Sequence, residues 1–221
     1  MLCAVKARLL FYCLCLSMSG LLTAPLLWAQ APSPTPTVAR ALKPEMYLLQ
    51  VEPRVMGTSI SKPLGESQRT VFTPSREVGG EQRMASYTVE DFNKLGISWE
   101  SFVERARKAA DKKLATLKPE IIKDAAGKVL YAVYRGDEPI YASLIVAPSL
   151  AKIFEAQFGK EIWLAAPDRN ALYVFPAKPE VVVNFSADLE ERYESNAYAA
   201  SEEIFSLNEK GELKAVAQFT R

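Results

Sequence analysis

The pattern of apolar and polar positions over residues 129–176 predicts the centre of the fold. Residues 129–134 carry apolar or amphipathic side chains on both alternating faces, which predicts a strand inside a sheet. Residues 140–147 are also apolar on both faces and follow a short turn with Gly and Pro, so we expect an antiparallel hairpin. Two further strands, 160–166 and 171–175, are predicted on either side of a four-residue loop.

A helix is predicted between these two pairs of strands, because apolar side chains of residues 150–158 repeat at helical spacing. Ser149 has the side chain of a helix N-cap, and Gly159 suits the left-handed position that ends a helix. Strand 140–147, this helix and strand 160–166 would form a crossover. The connection should be right-handed if the two strands are parallel.

A second helix is predicted from Ser98 to about Leu117 by a long apolar stripe at helical spacing. Thr88 is expected to cap a short helix before it. Charge pairs at helical spacing are expected on the outer face. They are Glu104 with Lys108 and Arg107 with Asp111.

The remaining elements follow from weaker patterns. Strands are predicted at 46–51, 55–61, 69–73, 120–123 and 181–185. A helix is predicted at 188–200, followed by a closing hairpin of 204–207 and 212–217, with Gly211 at the positive-φ position of its turn. The role of residues 52–86 is not determined by the pattern. Together these elements predict a single α+β domain at about 46–221, with a mainly antiparallel sheet and at least two packed helices.

Composition agrees with a globular chain, since 49% of its 221 residues are hydrophobic and 24% are charged. The formal net charge is +1. A charge this small gives no electrostatic argument for nucleic acid, so we expect no nucleic-acid partner.

The first 29 residues have the pattern of an export signal. Lys6 and Arg8 form a positive beginning, residues 9–28 form an apolar run, and Ala29 precedes a plausible cleavage site. The run is long enough for an uncleaved membrane anchor, which is the alternative. Residues 30–45 are rich in Pro and predict an extended linker. We therefore expect an exported protein, periplasmic or secreted, that contacts the membrane only if residues 9–28 remain attached.

The chain contains no histidine, and all three cysteines lie in the export-type segment. The remaining chain then has no Ser-His or Cys-His pair and no zinc site of the Cys/His type. We expect no cofactor and no metal. Carboxylate chemistry, Ser-Lys chemistry and oxygen-ligated Ca²⁺ or Mg²⁺ remain open.

Two stretches of sequence resemble the YtpQ-like family of uncharacterised bacterial proteins. The first is Thr88-Val-Glu-Asp-Phe followed by Leu95-Gly-Ile-Ser-Trp99 and the long helix. The second is Tyr141-Ala-Ser-Leu-Ile-Val146 followed by a helix and Ile162-Trp-Leu-Ala-Ala-Pro-Asp-Arg169. The resemblance covers roughly residues 87–175. It implies a similar order of strand, helix and strand, and it brings no activity with it. The export-type segment and linker depart from the family, whose members look cytosolic.

Candidate ligand-binding residues lie in the central stretch. Asp168 and Arg169 occupy a turn that could present a carboxylate and a guanidinium to a ligand, although Pro167 and Asn170 also suit a plain hairpin loop. Aromatic side chains on neighbouring strands could form a stacking surface or pack inside the core. They are Tyr131, Tyr134, Tyr141, Trp163 and Tyr173.

Three weaker motifs are also present in the sequence. Asp137, Glu138 and Asp168 supply carboxylates for glycoside hydrolysis, which needs two carboxyl groups about 5–9 Å apart. Ser149 and Lys152 have the Ser-x-x-Lys spacing of serine acylases, without their partner motifs. Asn184-Phe-Ser186 fits a glycosylation acceptor.

The sequence thus favours an exported, non-enzymatic binding or envelope-associated module with an unknown ligand or an envelope protein as its partner. The alternative is a carboxylate-based hydrolase that acts on envelope polymers. A third hypothesis is structural assembly, with the tyrosine-rich face buried in an oligomer.

Overall fold

A computed structural model describes residues 44–79 and 84–220 of the chain. The predicted export segment, and the linker up to residue 43, lie outside the described residues. The strands are β1 (Leu48–Pro53), β2 (Lys62–Pro63), β3 (Thr70–Glu77), β4 (Met84–Ser86), β5 (Glu120–Lys123), β6 (Val129–Arg135), β7 (Glu161–Ala165), β8 (Ala171–Pro176), β9 (Glu203–Asn208) and β10 (Leu213–Gln218). The α-helices are α1 (Val89–Lys94), α2 (Trp99–Leu114), α3 (Leu150–Phe158), α4 (Pro179–Val182) and α5 (Ser186–Ser195).

A six-stranded sheet in the order β10-β9-β7-β8-β6-β5 forms the larger layer. Every neighbouring pair in it is antiparallel. Because β6 and β7 both pair with β8, they run parallel to each other, and α3 connects them. Strands β8 and β9 are likewise parallel, and α4 and α5 connect them. The predicted α+β class with a mainly antiparallel sheet is confirmed.

The two faces of this sheet support different cores, as expected from side chains that alternate along a strand. Ile162 and Leu164 of β7 pack with α3 and with residues of β1. Trp163 and Ala165, on the opposite face of β7, pack with residues of α4 and α5. The central strands are apolar on both faces because helices cover both.

A smaller sheet is formed by β1, β3, β2 and β4, with β3 as its centre. All four of its strands fall in the part of the chain before α1, whose sequence pattern was weak. The turn before β3 joins the two sheets, because the Ala215 amide of β10 donates to the Gly65 carbonyl at 2.9 Å. Gly65 has φ +51°, and a Cβ there would lie 2.9 Å from the Leu213 carbonyl oxygen, so the contact requires glycine.

The predicted strand at 140–147 is wrong, and so are the hairpin and the crossover that contained it. Residues Ala142–Val146 form a 3₁₀ helix, and four of its five side chains are buried. A short apolar run fits a buried helical turn as well as a buried strand. The real crossover starts from β6 and passes through α3 to β7.

Two other predicted strands are also wrong. Residues 181–185 fall in α4 and in a 3₁₀ helix, Val183–Phe185, because Pro179 starts a helix where the β-branched run suggested a strand. Residues 55–61 belong mostly to a 3₁₀ turn, Arg54–Met56, and a following loop.

The predicted caps of the early helices are confirmed. Thr88 accepts from the Asp91 amide at 3.1 Å, and Ser98 accepts from the Ser101 amide at 3.2 Å. Gly159 ends α3 with φ +92°, and Gly211 has φ +73° in the closing hairpin.

The predicted ion pair of Glu104 and Lys108 is confirmed at 2.5 Å. The predicted N-cap at Ser149 and the predicted ion pair of Arg107 with Asp111 are wrong. Ser149 does not cap its own helix, because its hydroxyl donates to Asp111 Oδ1 at 2.7 Å. Asp111 is therefore used by Ser149 rather than by Arg107. The Arg107 guanidinium donates instead to the Gly211 carbonyl at 3.2 Å.

Candidate functional site

The Asp168 carboxylate, the first candidate from the sequence, is fully buried. Arg192 of α5 donates from Nε to Asp168 Oδ2 at 2.5 Å, and the Asn170 amide donates to Oδ1 at 2.7 Å. The second bond is an Asx-type turn, which explains the local sequence. Asp168 therefore ties the β7–β8 loop to α5.

Arg169 points in another direction, towards β1. Its Nη2 lies 3.4 Å from Glu52 Oε2, and its guanidinium stacks at 5.6 Å over the ring of Tyr198. Burial lowers the pKa of the Arg169 guanidinium, and the charge of Glu52 opposes that shift. Glu52 is itself buried and accepts from Gln50 Nε2 at 2.5 Å and from the Thr73 hydroxyl.

The turn at residues 167–170 thus holds three parts of the molecule together. Asp168 binds α5, Arg169 binds β1, and the Arg169 carbonyl accepts from the Ala142 amide at 3.2 Å. Both charges are neutralised inside the fold. Burying a charge is costly unless it is paired, so these side chains are committed to structure.

The strand aromatics are divided between the two faces of the large sheet. Tyr131 and Tyr173 share one face, with ring centroids 5.8 Å apart, and Phe185 covers Tyr131 at 4.8 Å. Trp163 packs in the same core, and its indole Nε1 is buried without an acceptor among the described residues. Tyr134 lies on the opposite face, where burial raises its pKa to about 12.

Tyr141 packs at the edge of the core that contains Tyr134. A Cβ on Gly136 would lie 2.6 Å from the Tyr141 hydroxyl, so glycine allows this ring to approach the backbone. The five ligand-binding candidates, Asp168, Arg169, Tyr131, Tyr141 and Trp163, are therefore not gathered on one cavity. Most of their surface packs against the protein itself.

The carboxylates considered for hydrolysis have separate environments. Glu138 pairs with Lys113 at 2.9 Å, and Asp137 is exposed. Their loop does approach the turn, since the Gly136 amide donates to the Asn170 carbonyl at 3.2 Å. The Asp168 carboxylate nevertheless faces inwards and has no exposed surface for a substrate.

The two short motifs also have structural roles. The Ser149 hydroxyl is engaged by Asp111, and Lys152 is exposed. Asn184 donates from Nδ2 to the Glu180 carbonyl at 2.9 Å, and the Ser186 hydroxyl donates to the Val183 carbonyl at 2.9 Å.

A groove that the sequence did not indicate lies where β1 ends. We call it the corner groove, and its volume is about 300 Å³. It lies between the 3₁₀ turn after β1, the start of β3, α5 and the segment before β9. Its lining residues are Pro53, Arg54, Val55, Gln68, Arg69, Thr70, Tyr193, Ser201 and Glu202.

The rim of the corner groove carries unusually exposed apolar side chains. Val55 is 93% exposed, and the adjacent Met56 is 50% exposed. The turn that presents them is held by the Arg54 amide, which donates to the Arg69 carbonyl at 2.6 Å. The Arg54 guanidinium donates to the Ser67 carbonyl at 3.0 Å. No carboxylate in the described part of the chain pairs with Arg54.

The floor of the corner groove is polar and internally hydrogen-bonded. The Thr70 hydroxyl lies 2.6 Å from Glu203 Oε2 and 2.7 Å from the Ser201 hydroxyl. Ser67 also donates to Glu203, and its hydroxyl oxygen accepts from the Thr70 amide at 2.7 Å. These groups are buried, so the network fixes the floor and does not leave reactive atoms on the surface.

A larger groove of about 480 Å³ runs along the outer side of α2. Trp99, Val103 and Pro148 form its apolar wall. Its rim charges are balanced, and Glu104 already pairs with Lys108. None of its lining side chains protrudes as Val55 does, which makes the corner groove the better candidate for a partner.

The sequence missed the corner groove because Val55 and Met56 looked like part of a strand. Their exposure follows from the 3₁₀ turn after β1, which the Arg54 amide fixes by donating to the Arg69 carbonyl. No local sequence pattern predicts this contact between residues 15 positions apart. The local signal that was present is Pro53, which favours leaving the sheet at that position.

Comparison with known protein families, with curated proteins and with solved structures finds no match to this chain. Across residues 44–79 and 84–220, no helix is both long and apolar enough to cross a membrane. The same residues contain no group of three Cys, Asp or Glu side chains placed to hold a metal ion.

Proposed function

We propose that this protein is an exported, envelope-associated module that binds a partner without transforming it. The export-type pattern of residues 1–29 supports its location outside the cytoplasm. We further propose the corner groove as its binding surface. The resemblance to the YtpQ-like family remains a proposal about ancestry, and it adds no activity.

The observation that carries the proposal is the exposure of Val55 at the rim of a concave surface. Apolar residues exposed singly are ordinary, whereas contiguous apolar surface with a polar rim marks contact sites. Val55 and the adjacent Met56 expose apolar surface next to a groove with polar lining. The surrounding side chains include Arg, Tyr and Met, the types enriched where proteins meet.

The geometry gives less support to the hydrolase. A glycosidase needs two carboxyl groups that reach the same sugar. Asp168 is buried against Arg192, and Glu138 is engaged by Lys113. No specific observation favours this second function.

A reporter fusion tests export. The full chain is joined at its C-terminus to an alkaline phosphatase that is active only outside the cytoplasm. We expect phosphatase activity from the natural chain. We expect a large loss of that activity when Lys6→Glu and Arg8→Glu remove the positive charge of the N-terminal region. An inactive natural fusion at normal protein levels would contradict the proposed location.

A turnover assay tests the non-enzymatic part. The purified full chain is incubated with cell-wall polymers, and soluble products are measured over time. We expect no release above a heat-denatured control. Release of soluble products that is abolished by Glu138→Gln would instead support the carboxylate-based hydrolase.

A further inference from the structure

The corner groove has features that narrow the chemistry of its partner. Its rim presents the side chain of Val55, nearly all of which is in water. Met56 adds a flexible apolar side chain next to it. Methionine adapts to irregular surfaces, which suits a contact that forms on binding. The partner should therefore bring apolar surface to this turn.

The floor of the corner groove also favours an apolar side chain from the partner. The hydroxyls of Thr70 and Ser201 are already engaged with each other, and Thr70 also donates to Glu203. Pro53 and the ring of Tyr193 complete the walls. A polar group placed there would find few free partners, whereas an apolar side chain would lose little on entering.

The charge at the rim is positive. Arg69 is paired with Glu202 at 2.6 Å, but Arg54 has no carboxylate partner in the described residues. Its guanidinium uses one Nη to donate to the Ser67 carbonyl, which leaves further donors for a ligand. A carboxylate is the group that best complements a free guanidinium.

We propose that the corner groove docks a protein segment in which an apolar side chain lies next to an Asp or Glu. The apolar side chain enters the groove against Val55, and the carboxylate pairs with Arg54. This inference rests on the proposed binding function and names its partner by chemistry.

Photo-crosslinking in cells tests the inference with the full chain. A photoreactive benzoylphenylalanine replaces Val55, the cells are irradiated, and the attached peptide is mapped by mass spectrometry. We expect an adduct with another polypeptide, attached within a few residues of an Asp or Glu. Arg54→Glu in the same chain should lower the yield about tenfold, since it replaces an attraction with a repulsion.

The matched control is Arg135→Glu, which reverses an exposed arginine of β6 outside the corner groove. It should leave the yield unchanged. Circular dichroism of each variant shows that the fold is retained, and Arg54→Gln serves as a milder change if Arg54→Glu does not fold.

Several results would overturn the inference. They are the absence of an adduct, an adduct with lipid, an adduct with a second copy of this chain, and a mapped segment without acidic residues. A crosslinking yield that stays the same after Arg54→Glu would also overturn the inference. The export and turnover tests do not involve the corner groove. They test the exported and non-enzymatic parts of the proposed function separately. A missing adduct would remove both the corner groove as the binding surface and this inference, whereas a mapped protein segment without acidic residues would overturn this inference alone.

Discussion

The turn at residues 167–170 and the corner groove are neighbouring regions with opposite organisation. In the turn, Asp168 and Arg169 are charged, but each is paired inside the fold, with Arg192 and Glu52. At the corner groove, the polar floor is satisfied and an apolar side chain, Val55, stands in water. A charged turn can thus have a purely structural role, whereas we propose the nearby surface around the exposed Val55 as the one that a partner contacts.

The largest expected effect comes from breaking the turn. Asp168→Ala would leave the Arg192 guanidinium without its carboxylate partner. Removing one member of a fully buried pair costs about 3–5 kcal/mol, and because the Arg192 side chain is 33% exposed, we expect a loss of about 3 kcal/mol. Urea unfolding should show this loss in the free energy of unfolding. The matched control is Asp137→Ala on an exposed loop, with an effect within about 0.5 kcal/mol. Equal effects at the two positions would remove the contrast.

The free energy of unfolding should fall in alkali because the fold buries the hydroxyl-bearing ring of Tyr134. Burial raises the pKa of Tyr134 to about 12, above the value of about 10 in an unfolded chain. The unfolded state therefore loses its proton first, and stability is present below pH 10 and falls as the pH rises towards 12. The difference amounts to about 2–3 kcal/mol.

This pH dependence can be measured as the free energy of unfolding at several pH values from about 9 to 12. Tyr134→Phe should flatten the decline relative to the natural chain. Tyr198→Phe, which changes an exposed ring, should leave it in place. A decline that persists unchanged in Tyr134→Phe would show that other groups cause it.

Two Arg–Glu ion pairs allow the coupling energy of a buried pair to be compared with that of a more exposed pair. Glu52 and Arg169 are largely buried, whereas Arg69 and Glu202 are more exposed. Double-mutant cycles to Gln should give a coupling energy of about 2 kcal/mol for the first pair and below about 1 kcal/mol for the second. The reverse order would mean that the turn is held mainly by packing.

The smallest effect on stability is expected at the rim of the corner groove. Val55→Ser and Met56→Ser change side chains that are mostly in water, so the free energy of unfolding should stay within about 0.5 kcal/mol. Thermal melts of each variant beside Leu64→Ser, a buried residue of the same sheet region, check this directly. A clear loss of stability at Val55 would mean that the residue packs more than its exposure indicates.

Much of the large sheet could be predicted because the alternation of apolar and polar residues along a strand shows which of its faces are buried. Residues 129–134 are apolar on both faces, and helices do cover both faces of β6. Residues 142–146 could not be assigned in this way, because a short apolar run has no period that separates a strand from a 3₁₀ helix. Pro179 was the overlooked sign that residues 181–185 begin a helical connection.

The candidate site was less predictable because it depends on distant residues. Glu52 pairs with Arg169 from 117 positions away, and Arg192 reaches Asp168 across 24 positions. No spacing rule contains such pairs. The sequence therefore left a ligand-binding turn and a plain hairpin loop both open at residues 167–170, and it did not identify Val55 as exposed.

The most direct test places the same photoreactive side chain at two positions of the full chain. One replaces Val55 at the corner groove, and the other replaces Tyr198, which is exposed beside Arg169. We expect a protein adduct from position 55 and none from position 198. An adduct from position 198 alone would contradict binding at the corner groove and would place the binding site at the turn of residues 167–170.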